Sequence, residues 1–254
     1  VYIRYPQTVH ITNLIISRLL FKPTINRSTC LIPVSDFIHR EIRTTFPQIA
    51  DHKPIETITN GAPDWNLPSS YKNYDRKNNL FFAGNLEPRK NLESLLEAMA
   101  LIAHKIPEMT LDIAGPSGWK NADIFKKLQC GNLYERVNIL GYLSDEELQY
   151  RYANCKALVF PSFYEGFGMP VLEALKTDTL VLTSRGTVME EILGDSALYF
   201  DPFDINDIAA KLEMVYKKDF NRNEYLRNKN AIINQYQWEK SAMNLKSLFE
   251  SLVN

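Results

Sequence analysis

The chain has 254 residues, 45% hydrophobic and 23% charged, which is ordinary globular material, enough for one full core and an appendage. A formal net charge of −1 argues against a nucleic-acid binder. No apolar run approaches the roughly 18 residues that a bilayer span needs and no signal-peptide pattern opens the chain, so a soluble, cytoplasmic protein is expected. Cys30, Cys130 and Cys155 lack any C-x-x-C spacing, and His10, His39, His52 and His104 form no metal-ligand pattern, so reduced thiols and no metal site are expected.

Residues 7–20 have helical apolar spacing (Val9, Ile11, Leu14, Ile15, Leu19, Leu20), closed by Pro23. Residues 30–34 predict a short strand, after which Ser35 caps a helix over 36–46 that ends before Pro47. Residues 55–59 predict another strand, stopped by Asn60-Gly61, and Pro63 to Asp75 is a loop rich in Pro, Ser and Asn, the best linker candidate. From Asn79 the order becomes regular. Strands at 79–84, 109–114, 136–140, 156–160, 179–183 and 196–200 alternate with helices at 90–105, 121–129, 144–153, 170–176, 188–193 and 205–217. Such alternation predicts an α/β fold, a Rossmann-like parallel sheet with helices on both faces. Helices near 221–234 and 238–252 follow. Val1 is not an initiator methionine and no strand-and-glycine entry opens the chain, so a fragment is expected.

One run organises the rest. Ala157 to Phe160 is a continuous apolar strand stopped by Pro161-Ser162, Gly166 and Gly168 allow a sharp turn close to a ligand, and Pro170 suits a first helical position. The free N–H groups at this helix start favour an anion. Glu165 and Glu173 bracket the turn, and carboxylates accept hydrogen bonds from vicinal hydroxyls, so a phosphorylated sugar fits better than a metal or a nucleic acid. The alternative is that Glu173 only complements the helix dipole and Glu165 is solvated.

A second cluster, Leu80 to Leu92, repeats the strand, turn and helix logic, with Gly84 and Asn85 at the strand end. Arg89 and Lys90 stand at the predicted helix start, where positive charge opposes the dipole unless an anionic ligand lies between two helix openings. The alternative is a solvated pair neutralised by Glu87 and Glu93. Farther on, Ser144 and Glu147 form a predicted capping box after Tyr142-Leu143. In the turn 177–180, Asp178 is expected to tolerate the left-handed region.

Glu-Gly-Phe-Gly-Met-Pro-Val-Leu-Glu-Ala (165–174) resembles the E-x7-E signature of the GT-B-fold, nucleotide-sugar-dependent retaining glycosyltransferases usually called family 4. Gly-Asn-Leu-Glu-Pro-Arg-Lys-Asn (84–91) resembles that family's diphosphate-binding position, and Val34-Ser-Asp-Phe37 and Ile58-Thr-Asn-Gly61 match its landmarks at the end of the N-terminal domain. The resemblance implies a remnant of the acceptor-side domain over 1–60, a linker over 61–78, a nucleotide-sugar-binding domain over 79–235 and a crossover helix over 236–254.

It further implies transfer of a hexose from a nucleoside diphosphate sugar to an acceptor hydroxyl with retention, without a cofactor or essential metal. The implied catalytic residues are Glu165, which contacts sugar hydroxyls and steadies the anomeric carbon, and Arg89 and Lys90, which stabilise the departing diphosphate. Gly84, Asn85 and the N–H groups of Gly166, Phe167, Gly168 and Met169 complete the phosphate cradle, Glu173 holds the ribose diol, and main-chain atoms around Tyr142 and Leu143 hold the nucleobase beside the 157–175 loop. Asn85 stands where many members have arginine, and Asp178 and Leu180 replace the usual glycine and proline. Thr187 to Glu191 occupies the segment that faces the donor sugar in relatives.

The loop Gly-Pro-Ser-Gly-Trp (115–119) is similar to that of mannosyl- and rhamnosyl-transferring members, which implies GDP-mannose. The implied partners are this donor and a glycan or lipid-linked glycan acceptor, with no nucleic acid and with membrane association, at the inner face, only through the rest of the N-terminal domain. The chain alone is then expected to bind nucleotide and transfer little. Two other readings stay open: a non-catalytic nucleotide-sugar-binding subunit, and a GT-B-type sugar-nucleotide epimerase.

Overall fold

The structure, a computed structural model, describes residues 3–65, 68, 71, 76–116 and 133–253. The predicted helix 121–129 and residues 117–119 of the Gly-Pro-Ser-Gly-Trp loop lie outside the described residues.

Six strands form one sheet: β1 Asn79–Ala83, β2 Thr110–Ala114, β3 Val137–Gly141, β4 Ala157–Phe160, β5 Leu180–Ser184 and β6 Leu198–Phe200. Their order is β3-β2-β1-β4-β5-β6 and every pairing is parallel, with Leu80 opposite Leu111 on one side and Ala157 on the other. The four inner strands are apolar because both of their faces are covered, and alternate residues feed two cores. Leu80, Phe82, Val159 and Leu182 pack with Leu95, Met99, Ile208 and Leu212 on one face. Phe81, Leu158, Phe160 and Val181 pack with Tyr152, Val171, Leu175 and Ile192 on the other. The order in which strands are added reverses between β1 and β4, so the loops leaving their carboxyl ends part and open a crevice, the usual ligand position of such sheets.

The helices Asp36–Thr45, Asp145–Asn154, Val188–Leu193 and Trp238–Val253 lie where the spacing predicts. Ser35 accepts from the Ile38 N–H, the Ser144–Glu147 capping box is complete, and Asp178 is left-handed at φ 58°. Three expectations need correction. The first long helix runs Ile11–Arg27 straight through Pro23, since the Leu19 carbonyl that loses its donor lies on an exposed turn. The predicted strands 30–34 and 55–59 reduce to one parallel bridge, Leu31 to Ile55, because Pro33 and Pro54 have no N–H to extend the ladder. The stretch 221–234 is two short helices, Asn223–Leu226 and Lys229–Gln235. Among the described residues no helix is long and apolar enough to cross a membrane.

Candidate functional site

The predicted helix 90–105 begins later than its spacing suggests. Pro88–Lys90 form a 3-10 turn, Asn91 is left-handed at φ 56°, and the α-helix is Leu92–Ile102. Asparagine tolerates this region better than most residues, and the Asn91 amide donates to the Pro202 carbonyl at 2.9 Å, which fixes the kink. Arg89 and Lys90 therefore precede the helix instead of opening it, and both turn toward the loop that follows β4.

There they meet Glu165. Arg89 Nη1 lies 2.6 Å from Glu165 Oε2, and Lys90 Nζ lies 2.8 Å from Glu165 Oε1. Arg89 Nη1 also donates to the Tyr164 carbonyl at 3.0 Å, and the Phe163 N–H donates to the Arg89 carbonyl at 3.0 Å, so the two loops are zipped together across the switch point. The solvated alternative for this pair does not hold: Lys90 and Glu165 are buried, and Glu87 takes only a 3.5 Å contact from Arg89. Both cations converge on one carboxylate, with Glu87 as a second, longer partner of Arg89 at 3.5 Å, so the four charges balance as two pairs. Burial, with Arg89 alongside, holds the Lys90 ammonium below its ordinary value despite Glu165. Burial pulls the Glu165 carboxyl up, but Lys90 and Arg89 outweigh it and the net direction is down.

The backbone supplies donors beside it. Gly168 caps the helix Met169–Lys176, Pro170 sits in its first turn, and among the described residues the N–H groups of Gly166, Phe167 and Gly168 meet no acceptor. Gly84 ends β1 at φ +149°, where a Cβ would sit 3.4 Å from the Lys90 stem that crosses it. Gly168 stands at φ +122°, and a Cβ there would lie 2.5 Å from Met189 Cε. Gly168→Ala is therefore expected to cost about 1–3 kcal/mol in thermal unfolding, most of it left after Met189→Ala relieves the clash, because the backbone strain stays. A loss under about 0.5 kcal/mol would contradict this.

Other candidates sit differently from expectation. Gly166 is not left-handed; its carbonyl instead accepts from Ser35 Oγ at 2.7 Å. Phe167 is a core side chain, edge-on to Tyr236 at 5.4 Å, so only its N–H remains available. Met169 is half-buried against the same core. Asn85 is exposed and donates weakly to Glu87 at 3.4 Å. Tyr142 and Leu143 do not follow a strand beside the 157–175 loop. β3 lies at the sheet edge with β2 and β1 between it and β4, Tyr142 is 82% exposed, and only Leu143 reaches the core that Met169 joins.

Glu173 is not a bare dipole partner. Its Oε2 accepts from the Tyr152 hydroxyl at 2.7 Å, and burial pushes its carboxyl above the ordinary range, against the Tyr152 hydrogen bond. Tyr152 reads in sequence as one more apolar-face position of the helix Asp145–Asn154, and nothing local marks it. Ser162, read only as a strand stop, carries a buried hydroxyl without a hydrogen-bond partner just after β4. Glu191 of the 187–191 segment accepts from the N–H groups of Asp36 and Phe37 at 2.9 and 2.5 Å, joining this segment to the first 60 residues.

The architecture and the family agree. The model of the family described as glycosyl transferases group 1 matches residues 64–235. O-antigen chain mannosyltransferase B of Escherichia coli is 31% identical over 225 residues, 85% of this chain and 59% of its own length. The chain thus spans about three fifths of that relative. Among solved structures, sucrose-phosphate synthase from Thermosynechococcus elongatus has a TM-score of 0.77 at 22% identity over 92% of this chain and 61% of its own. Anabaena Alr3699/HepE in complex with UDP and glucose has a TM-score of 0.78 at 17% identity over 97% of this chain and 69% of its own. These two show the fold, the α/β architecture of GT-B glycosyltransferases. The family model covers most of the sheet and both loops of the crevice, and the chain belongs to the glycosyl transferases of group 1.

Proposed function

We propose that this chain is the donor-binding part of a retaining hexosyltransferase of the family 4 type. A nucleoside diphosphate sugar gives its hexose to an acceptor hydroxyl, on a glycan or lipid-linked glycan, without a cofactor or essential metal. Mannose from GDP-mannose is the favoured donor. The loop beginning at Gly115 supports it, as do relatives named as mannosyltransferases. The observation that carries the reading is the meeting of Arg89, Lys90 and Glu165 at the switch point, beside N–H groups of Gly166, Phe167 and Gly168 that meet no acceptor among the described residues.

The chemistry follows from where charge develops. The bond from the anomeric carbon to the diphosphate oxygen breaks, the acceptor oxygen bonds to that carbon from the same face, and its proton passes to the departing diphosphate. Negative charge grows on the diphosphate, where Arg89, Lys90 and the amides of Gly166 to Met169 stabilise it. Glu165 faces the positive charge at the anomeric carbon and accepts from sugar hydroxyls. Glu173 accepts from the ribose diol, and Gly84 and Asn85 let the turn approach the phosphates. A whole transferase that carries this chain as its donor-binding part, given GDP-mannose and a mannose-terminated oligosaccharide, is expected to release GDP and form a product whose anomeric NMR signal keeps the donor configuration, while this chain alone transfers little. Inversion, or release from UDP-glucose but never from GDP-mannose, would overturn the corresponding part of this reading.

A pH dependence follows from Glu173. Its raised carboxyl has Tyr152, Asp145 and Lys90 around it, of which Asp145 raises it further and the other two oppose. Nucleotide binding that needs the carboxylate is full above this raised value and is lost as pH falls through it, sooner than an ordinary carboxyl allows. Calorimetric titration with GDP at stepwise lower pH checks this; affinity that holds down to the usual carboxylate range would contradict it.

A further inference from the structure

Tyr152 is fully buried, and its ring is held edge-on by Phe81 at 4.9 Å and packed by Trp65 at 5.8 Å. Its hydroxyl donates to Glu173 Oε2 at 2.7 Å, and Glu173 Oε1 meets no donor among the described residues. The arrangement is asymmetric. One carboxylate oxygen is fixed from the core side by a rigid aromatic with no rotamer to spare, and the other is left for a ligand. The helix ends that carry the pair are tied as well. Arg76 donates to the carbonyls of Tyr152 and Cys155 and to those of Thr177 and Asp178, so the helices Asp145–Asn154 and Met169–Lys176 are cross-linked through one guanidinium.

We infer that Tyr152 is a positioning residue for donor recognition: its phenol fixes Glu173 so that the free oxygen can grip the ribose diol of the nucleotide. This rests on the reading of Glu173 as the ribose ligand. The function of Tyr152 then reaches the ligand only through Glu173. The hydroxyl also stabilises the ionised carboxylate that burial disfavours. Without it, Glu173 is both less ionised and free to choose another rotamer.

The test uses whichever of GDP and UDP binds the protein more tightly, together with its 2′,3′-dideoxy form, measured by calorimetry. Tyr152→Phe keeps the ring and its packing, and is expected to lower the ratio of ribo to dideoxy affinity by about tenfold, the worth of a hydrogen bond to a charged group, while dideoxy affinity stays the same. Glu173→Gln is expected to lower the same ratio at least as far. A merely structural role for Tyr152 predicts equal weakening of both ligands, which would overturn the inference. If Glu173→Gln removes the preference and Tyr152→Phe does not, the inference fails alone. If Glu173→Gln leaves the preference intact, or neither nucleotide binds, the ribose reading fails and takes the inference with it.

Discussion

In a whole transferase that carries this chain as its donor-binding part, replacing Glu165 with glutamine is expected to separate binding from turnover: transfer should fall by about 10²–10³-fold, while affinity for the nucleoside diphosphate stays level or rises. The geometry forces the two effects apart. Among the described residues Glu165 is the only carboxylate within 3 Å of both cations, so its loss frees Lys90, and Arg89 apart from its 3.5 Å contact with Glu87, to pair with phosphate while removing the charge assigned to the anomeric carbon. The free protein should suffer, because leaving a buried cation without its partner costs about 3–5 kcal/mol. Bound GDP should restore much of this, so the variant's melting temperature should respond to GDP more than the parent's does. Single-turnover rates, calorimetry and thermal scans read the three effects. An unchanged rate would remove Glu165 from the chemistry, and weakened GDP binding would mean that it serves the nucleotide instead.

The second large effect falls on stability. Arg76 Nη1 donates to Tyr152 O and Cys155 O at 3.0 Å each and to Thr179 Oγ1 at 2.9 Å, and Nη2 donates to Thr177 O and Asp178 O at 2.7 and 2.8 Å. These carbonyls close helix ends; Tyr152 O also accepts from Thr179 Oγ1 at 2.6 Å and Asp178 O from Arg222, so the guanidinium is the shared member of a wider buried network. Burial, aided by nearby Arg222, pushes the guanidinium down to about 10, so the charge persists at neutral pH. Arg76→Ala removes all five of these charge-assisted hydrogen bonds and leaves the Cys155 carbonyl without a donor among the described residues, and a loss of about 3–5 kcal/mol is expected, roughly 10 °C in melting temperature. Lysine cannot mimic the fork, since one ammonium does not span carbonyls on two helices, so Arg76→Lys should recover less than half. A shift under about 2 °C on Arg76→Ala would contradict this account.

Much of this was legible in the residues themselves. Apolar runs between helical stretches predict the parallel sheet because burial on both faces demands them, and Ser35, Ser144 with Glu147, and Asp178 do locally what their side chains allow. What was not legible is long-range. The spacing of Arg89 and Lys90 cannot say that Glu165 is their partner, since that depends on β4 returning to the flank of β1. The same reversal puts β3 at the edge and carries Tyr142 away from the loop it was expected to join. Tyr152 shows why a polar atom on an apolar face escapes notice: its ring satisfies the periodicity, and its hydroxyl matters only once Glu173 is packed against it. Prolines act in both directions, tolerated at position 23 where the Leu19 carbonyl lies on an exposed turn, and decisive at 33 and 54 where a ladder needs the missing N–H.

The central claim is that the two cations between the loops, Arg89 and Lys90, hold a diphosphate. Calorimetric titration of the protein and of Lys90→Met with GDP, with guanosine as the control, tests it most directly. The account predicts at least about tenfold weaker GDP binding in the variant and no difference with guanosine. Equal GDP affinity in the two proteins would contradict it.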